Sequence, residues 1–155
     1  MALFYGCTSL TTAPEIPNSV TDMGSTFQGC TSLTMAPEIP NSVAYMGSTF
    51  QGCTSLTMAP EIPNSVTYMD HTFARCANLT TAPEIPNGVT NMEYTFLACT
   101  KLQGTIKIDA NPTRYDGCFS FAATGGSGLV VTGSSTKLDE IIATGSSNSK
   151  ITKGQ

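Results

Sequence analysis

The sequence predicts an α/β repeat solenoid: a right-handed array of 23-residue coils joined by a parallel strand ladder and followed by a small α/β C-terminal cap. Three observations carry this expectation. Cys7, Cys30, Cys53, Cys76 and Cys99 are spaced evenly by 23 residues, each inside the motif Phe-x-x-Cys-x-x-Leu. Behind the first four follow Ala-Pro-Glu-Ile-Pro-Asn and then Val-x-x-Met. Residues 27–49 and 50–72 differ only at Ala44/Thr67, Gly47/Asp70 and Ser48/His71, so 20 of 23 positions match. Units so alike occupy nearly the same surroundings, and a unit this short can bury its apolar side only against its neighbours.

The array is expected over residues 1–103, about 4.5 coils. Phe4 is already in register with Phe27, Phe50, Phe73 and Phe96, so the first coil opens partway through its unit and the chain reads as a fragment of a longer protein. Within a coil, Val43, Met46, Phe50 and Cys53 have the spacing of one helix face, which predicts a short helical turn weakened by Gly47 and Gly52. Leu56 through Ile62 reads as the extended side. Pro60 and Pro63 remove two backbone donors there, so the strand can be regular for only a few residues. Pro-Asn-Ser then turns the chain. Stacked coils place equivalent strands about 4.8 Å apart, with Leu10, Leu33, Leu56, Leu79 and Leu102 as one internal column and the phenylalanines as another.

The period is expected to end near Gln103, because Cys118 lies 19 residues past Cys99 instead of 23. Residues 104–155 then read as a separate C-terminal cap over the apolar end of the array. Residues 104–108 and 129–132 are strand candidates, Lys150–Thr152 a final one. Thr136-Lys-Leu-Asp139 resembles a capping box opening a helix over 138–143, which Gly145 would end in a left-handed conformation. The run Gly125-Gly-Ser-Gly128 lacks the Lys-Ser/Thr that a phosphate loop requires and reads as a turn.

Only 12% of the residues are charged, and no apolar run reaches the roughly 18 residues of a membrane span. Residues 1–100 carry a net charge of −6 and residues 101–155 a net +2. An acidic array without a basic stripe argues against nucleic acid as a partner. His71 is the only histidine, and no second catalytic group is placed beside the His71–Asp70 pair, so no enzymatic activity is expected. The cysteines lack the close pairs typical of zinc sites, and no metal or cofactor is expected. They read instead as a column of small buried hydrophobes, free because parallel Cβ vectors make the disulfide dihedral hard to reach. Glu15, Glu38, Glu61 and Glu84 form an acidic column. It reads as a solvated stripe, or as a site for calcium or a basic partner.

The unit Phe-Gln-Gly-Cys-Thr-Ser-Leu-Thr, with Pro-Asn-Ser-Val-Thr and Met-Gly-x-Thr-Phe, resembles the BspA-like leucine-rich repeat of bacterial surface proteins, over residues 4–103. Ala-Pro-Glu-Ile-Pro replaces the usual aliphatic strand, and Thr26, Thr49, Thr72 and Thr95 replace the common Ala. The tail from Thr105 to Gly154 resembles the segment that often closes such arrays. The resemblance implies an extracellular or cell-surface location, adhesion and protein binding, and no enzyme activity.

Where near-identical copies disagree, the position has no fixed packing shape to preserve. Positions 22, 45, 68 and 91 read Asp, Tyr, Tyr, Asn; positions 25, 48, 71 and 94 read Ser, Ser, His, Tyr; positions 12, 35, 58 and 81 read Thr, Met, Met, Thr. Tyr45, Tyr68, His71, Tyr94, Met35 and Met58 are therefore the candidate ligand-binding residues, since exposed aromatic groups anchor protein or sugar contacts. The expected function is a binding or adhesion module for a host or neighbouring-cell protein or glycan. The alternative is a structural spacer within a longer surface protein. A more remote reading takes the threonine columns as an ice-binding hydroxyl array.

Overall fold

The computed structural model describes residues 2–155 and shows a stack of coils around columns of identical side chains. Phe27, Phe50, Phe73, Phe96 and Phe119 are fully buried. With Phe4 they form a continuous ring stack, centroids 5.3–5.7 Å apart and planes within 10° of parallel. Leu33, Leu56, Leu79 and Leu102, the Val43–Val89 series and the Met23–Met92 series fill the remaining core columns. Burying one such side chain contributes about 1.5–3 kcal/mol, and each is covered by its counterparts above and below.

The helical turn expected around residues 43–53 is absent; a ribbon of successive turns takes its place. In the second coil the N–H groups of Thr26, Gln28 and Cys30 bond three residues back within the coil, to Met23, Ser25 and Phe27. The N–H groups of Met23, Ser25, Phe27 and Gly29 instead reach the carbonyls of Tyr45, Gly47, Thr49 and Gln51 in the next coil, at 2.8–3.0 Å. The reason is a left-handed residue every fourth position. Ser25 has φ 53° and Gly29 φ 75°, so each turn is reversed before it can propagate as a helix, and alternate donors are turned towards the neighbouring coil. One left-handed column runs Ser25, Ser48, His71, Tyr94, Gly117, the other Gly6, Gly29, Gly52, Arg75, Ala98, Phe121.

The coils also meet through parallel single-residue bridges: Thr12 with Met35 and Met58 with Thr81 on one side, and, just before the ribbon in each coil, the continuous line Asp22, Tyr45, Tyr68, Asn91, Arg114. Regular strands appear only where Ala-Pro-Glu-Ile-Pro ceases. β1 (Gly104–Lys107), β2 (Leu129–Thr132) and β3 (Ile151–Lys153) form a parallel sheet in the order β1-β2-β3, with α1 (Leu138–Ile142) between β2 and β3. Proline donates nothing to a ladder, so its loss permits pairing. The bridge Ile85–Ile108 joins β1's coil to the array.

The coil register does not lapse after Gln103. Phe119 stacks on Phe96 at 5.5 Å, Asn91 bridges Arg114, and the Phe96 N–H bonds the Cys118 carbonyl at 2.9 Å. That bond is the equivalent of Phe73 to Thr95. Cys118 is therefore the successor of the buried threonines, and Ala122 is the successor of Cys99; a shared residue type in a different column makes the period appear to shift. The capping box also does not form. Lys137 is the N-cap without a side-chain hydrogen bond, and the Thr136 hydroxyl instead donates to Asn111 Oδ1 at 2.9 Å. Gly145 closes α1 through its N–H to the Ile142 carbonyl, without a positive φ.

Candidate binding face

The line of bridges from Asp22 to Arg114 and the left-handed column from Ser25 to Gly117 lie three residues apart on each coil, so they share one edge of the stack. Here the variable positions meet. Tyr45 and Tyr68 form a tilted pair at 6.0 Å, and His71 and Tyr94 form a stacked pair at 4.9 Å. Tyr45, Tyr68 and Tyr94 are 37–45% exposed. His71 and Tyr94 face outward because their left-handed backbone puts their side chains off the ribbon, away from the Phe and Met columns. The Tyr45 ring lies along a floor of two glycines: a Cβ at Gly24 would fall 2.8 Å from Cε1, and one at Gly47 would collide with the hydroxyl end. Gly117 has the same relation to the Tyr94 ring.

Charge surrounds these rings. Asp22 accepts the Gly24 N–H at 2.7 Å, and Asn91 accepts that of Glu93 at 2.9 Å. Glu93 is paired with Arg114 at 2.7 Å, and Asp70 stands 3.9 Å from His71. Burial, and then the negative charges of Asp70 and Asp22, raise the pKa of the Tyr45 hydroxyl above its ordinary value.

Met35 and Met58 are the most exposed candidates, at 69% and 63%, but lie on the other limb, in the bridges to Thr12 and Thr81. They do not join the ring pairs. The sequence comparison misses Asp70, Glu93 and Arg114 as part of this edge, although the column 24, 47, 70, 93, 116 changes from Gly to Asp, Glu and Asp along the array.

The other candidate chemistries are placed as follows. Glu15, Glu38, Glu61 and Glu84 line shallow grooves beside the prolines, and Lys107 ends the column, 3.9 Å from Glu84 and 2.6 Å from Asp109. Among the described residues no three His, Cys, Asp or Glu side chains are grouped to hold a metal ion. The hydroxyls of Thr34, Thr54 and Thr80 donate to carbonyls one coil back at 3.0–3.4 Å and are already engaged. All six cysteines are free thiols, and only Cys7 is exposed. The Sγ of Cys30, Cys53, Cys76 and Cys99 donates to the carbonyl of the Phe in the previous coil at 3.0–3.1 Å. Burial pushes the pKa values of Cys53, Cys76, Cys99 and Cys118 well above the ordinary thiol value. They are protonated packing groups, neither nucleophiles nor ligands.

A family model described as BspA type leucine rich repeat region matches this chain in six copies over residues 1–123. The chain belongs to the BspA-type leucine-rich repeat family. The match runs past Gln103 to the coil that carries Phe119, in step with the ring stack. No catalytic family is indicated for this BspA-type array. Among solved structures it is similar to a leucine-rich repeat protein from Bacteroides ovatus ATCC 8483, with 18% identity, a TM-score of 0.35, and coverage of 98% of this chain and 65% of that one. No curated protein matches the sequence. Among the described residues no helix is long and apolar enough to cross a membrane.

Proposed function

We propose that this chain is a non-enzymatic binding module of a surface-exposed or secreted protein, holding a protein or glycan partner against the edge formed by Tyr45, Tyr68, His71 and Tyr94. The observation that carries this reading is the pairing of three exposed tyrosine rings and the half-buried His71 ring across successive coils. The core columns must repeat to stack, whereas these positions vary and their rings are ordered by contact with each other and with a glycine floor. An ordered aromatic surface loses little conformational entropy on binding, which is what an anchor requires. Residues 104–155 act in the same reading as the closing cap, with the β1-β2-β3 sheet covering the end of the array.

The spacer reading gives the ring edge no task. An array of glycans and extracellular-matrix proteins probed with the intact chain separates the two. A binding module retains at least one ligand, and Tyr68→Ala weakens that retention about tenfold or more. A chain that retains nothing on either array is a spacer.

A further inference from the structure

We propose that the ring edge takes a basic protein segment, seating an Arg or Lys side chain over the Tyr45–Tyr68 pair between the carboxylates of Asp22 and Asp70; this rests on the binding reading above and names the class of partner. Three features converge on it. The two rings are partly exposed, 6.0 Å apart and tilted by 41°, so they form a shallow aromatic seat in which a guanidinium or ammonium group meets π-faces. The seat is flanked on both sides by negative charge. Asp22 lies one coil before Tyr45 and shares with it the space over Gly24; Asp70 follows one coil beyond Gly47, the glycine beneath the Tyr45 hydroxyl, and its carbonyl accepts the Ser48 N–H at 2.8 Å. Their negative charges add to burial in raising the pKa of the Tyr45 hydroxyl.

Charge complementarity over the whole edge points the same way. The columns along this edge carry four acids, Asp22, Asp70, Glu93 and Asp116, and one guanidinium, Arg114, which Glu93 already holds at 2.7 Å. Among the described residues Asp22 and Asp116 have no cationic partner, and Asp70 has only the neighbouring imidazole at 3.9 Å. A cation delivered by a partner would complete both the carboxylates and the rings. A negatively charged ligand would meet repulsion at each of these positions.

The test uses the full chain and a fluorescently labelled hexa-arginine peptide, read by anisotropy at low salt, with a Gly-Ser hexapeptide as the neutral probe. Asp22→Asn/Asp70→Asn removes the charge and keeps the rings, and Tyr45→Ala/Tyr68→Ala does the reverse. Glu38→Gln/Glu61→Gln removes the same charge from the other acidic column. Gly47→Ala displaces Tyr45 without altering charge. Hexa-arginine should bind in preference to the Gly-Ser peptide. The Asp pair and the Tyr pair should each weaken it tenfold or more, Gly47→Ala several-fold, and the Glu pair less than twofold. Equal loss with the Glu pair, no effect of the Tyr pair, or no binding of hexa-arginine overturns the proposal. Its failure is separable from failure of the binding reading. If a ligand found on the arrays is lost with Tyr68→Ala yet survives Asp22→Asn/Asp70→Asn and is not displaced by hexa-arginine, the edge binds and the cation seat is wrong. If that ligand ignores the Tyr variants as well, both fall.

Discussion

At the residue scale the cysteine column shows how one side chain can serve every coil. The Phe27 carbonyl accepts both the Cys30 N–H and the Cys53 Sγ–H, and the same relation recurs at Phe50 and Phe73, so each thiol ties two coils through one acceptor. Protonated thiols buried this way make stability depend on pH with a definite sign. The folded-state pKa values of Cys53, Cys76, Cys99 and Cys118 are raised above the ordinary 9.0, so their contribution is complete below about pH 9. It is lost as pH rises further, because the unfolded chain gives up protons that the folded chain keeps. Each such thiol costs about 1.4 kcal/mol per pH unit above that point. Urea unfolding at pH 8, 9 and 10 should show a steep alkaline fall, and Cys53→Ala/Cys76→Ala should make it clearly shallower. An identical slope in parent and variant contradicts the thiol assignment. Native-state alkylation should modify Cys7 alone, and denatured, unreduced protein should yield six modified cysteines.

At the scale of the element, the ribbon of turns depends on its left-handed positions more than on propensity. Ala98 occupies the column that Gly6, Gly29 and Gly52 open, with φ 57°. A left-handed alanine costs about 1–2 kcal/mol, partly offset by glycine's larger loss of chain entropy. Ala98→Gly should therefore stabilise the chain by about 0.5–1 kcal/mol, and Gly52→Ala should destabilise it by a similar amount, both measured by urea midpoint. Destabilisation by Ala98→Gly would mean the ribbon is not strained there. This element was the part least legible in the sequence. The columns of Phe, Leu, Val, Met and Cys repeat because stacking fixes their shape, and they can be read directly. The spacing of Val43, Met46, Phe50 and Cys53 is shared by a helix and by four-residue turns. What distinguishes the two is a left-handed backbone at Ser25, His71, Tyr94 and Arg75, residue types that do not announce it. The ring edge was legible as variation between copies; its carboxylates were not, because Asp70 and Glu93 replace glycines in a column whose role emerges only beside Tyr45.

At the scale of the molecule, residues 104–155 continue the stack that they were expected merely to cover. β1 joins the array through Ile108, and β2 and β3 follow in parallel, with Gly133 so close to the Ile108 backbone that a side chain there would collide. Cys118 stands in the threonine column and not in the Cys column, and the Phe96–Phe119 step is still 23 residues. If the terminal strands close the array, a chain ending at Gln103 bares the Phe96 ring and Ile85, and light scattering should show association. A stable, monodisperse monomer of that truncation would contradict the closing role. The outward edge is a separate property of the whole stack. It exists only because equivalent positions of three successive coils are brought into line. The most direct measurement is thermal melting together with ligand retention for Tyr45→Ala/Tyr68→Ala/Tyr94→Ala, using whichever ligand the arrays identify. These rings lie outside the core columns, so stability should change by about 0.5 kcal/mol or less per site, while retention should fall about thirtyfold, the loss of one anchor worth about 2 kcal/mol. Unchanged melting with unchanged retention would contradict the binding edge, and a steep drop in melting would place the tyrosines in the core.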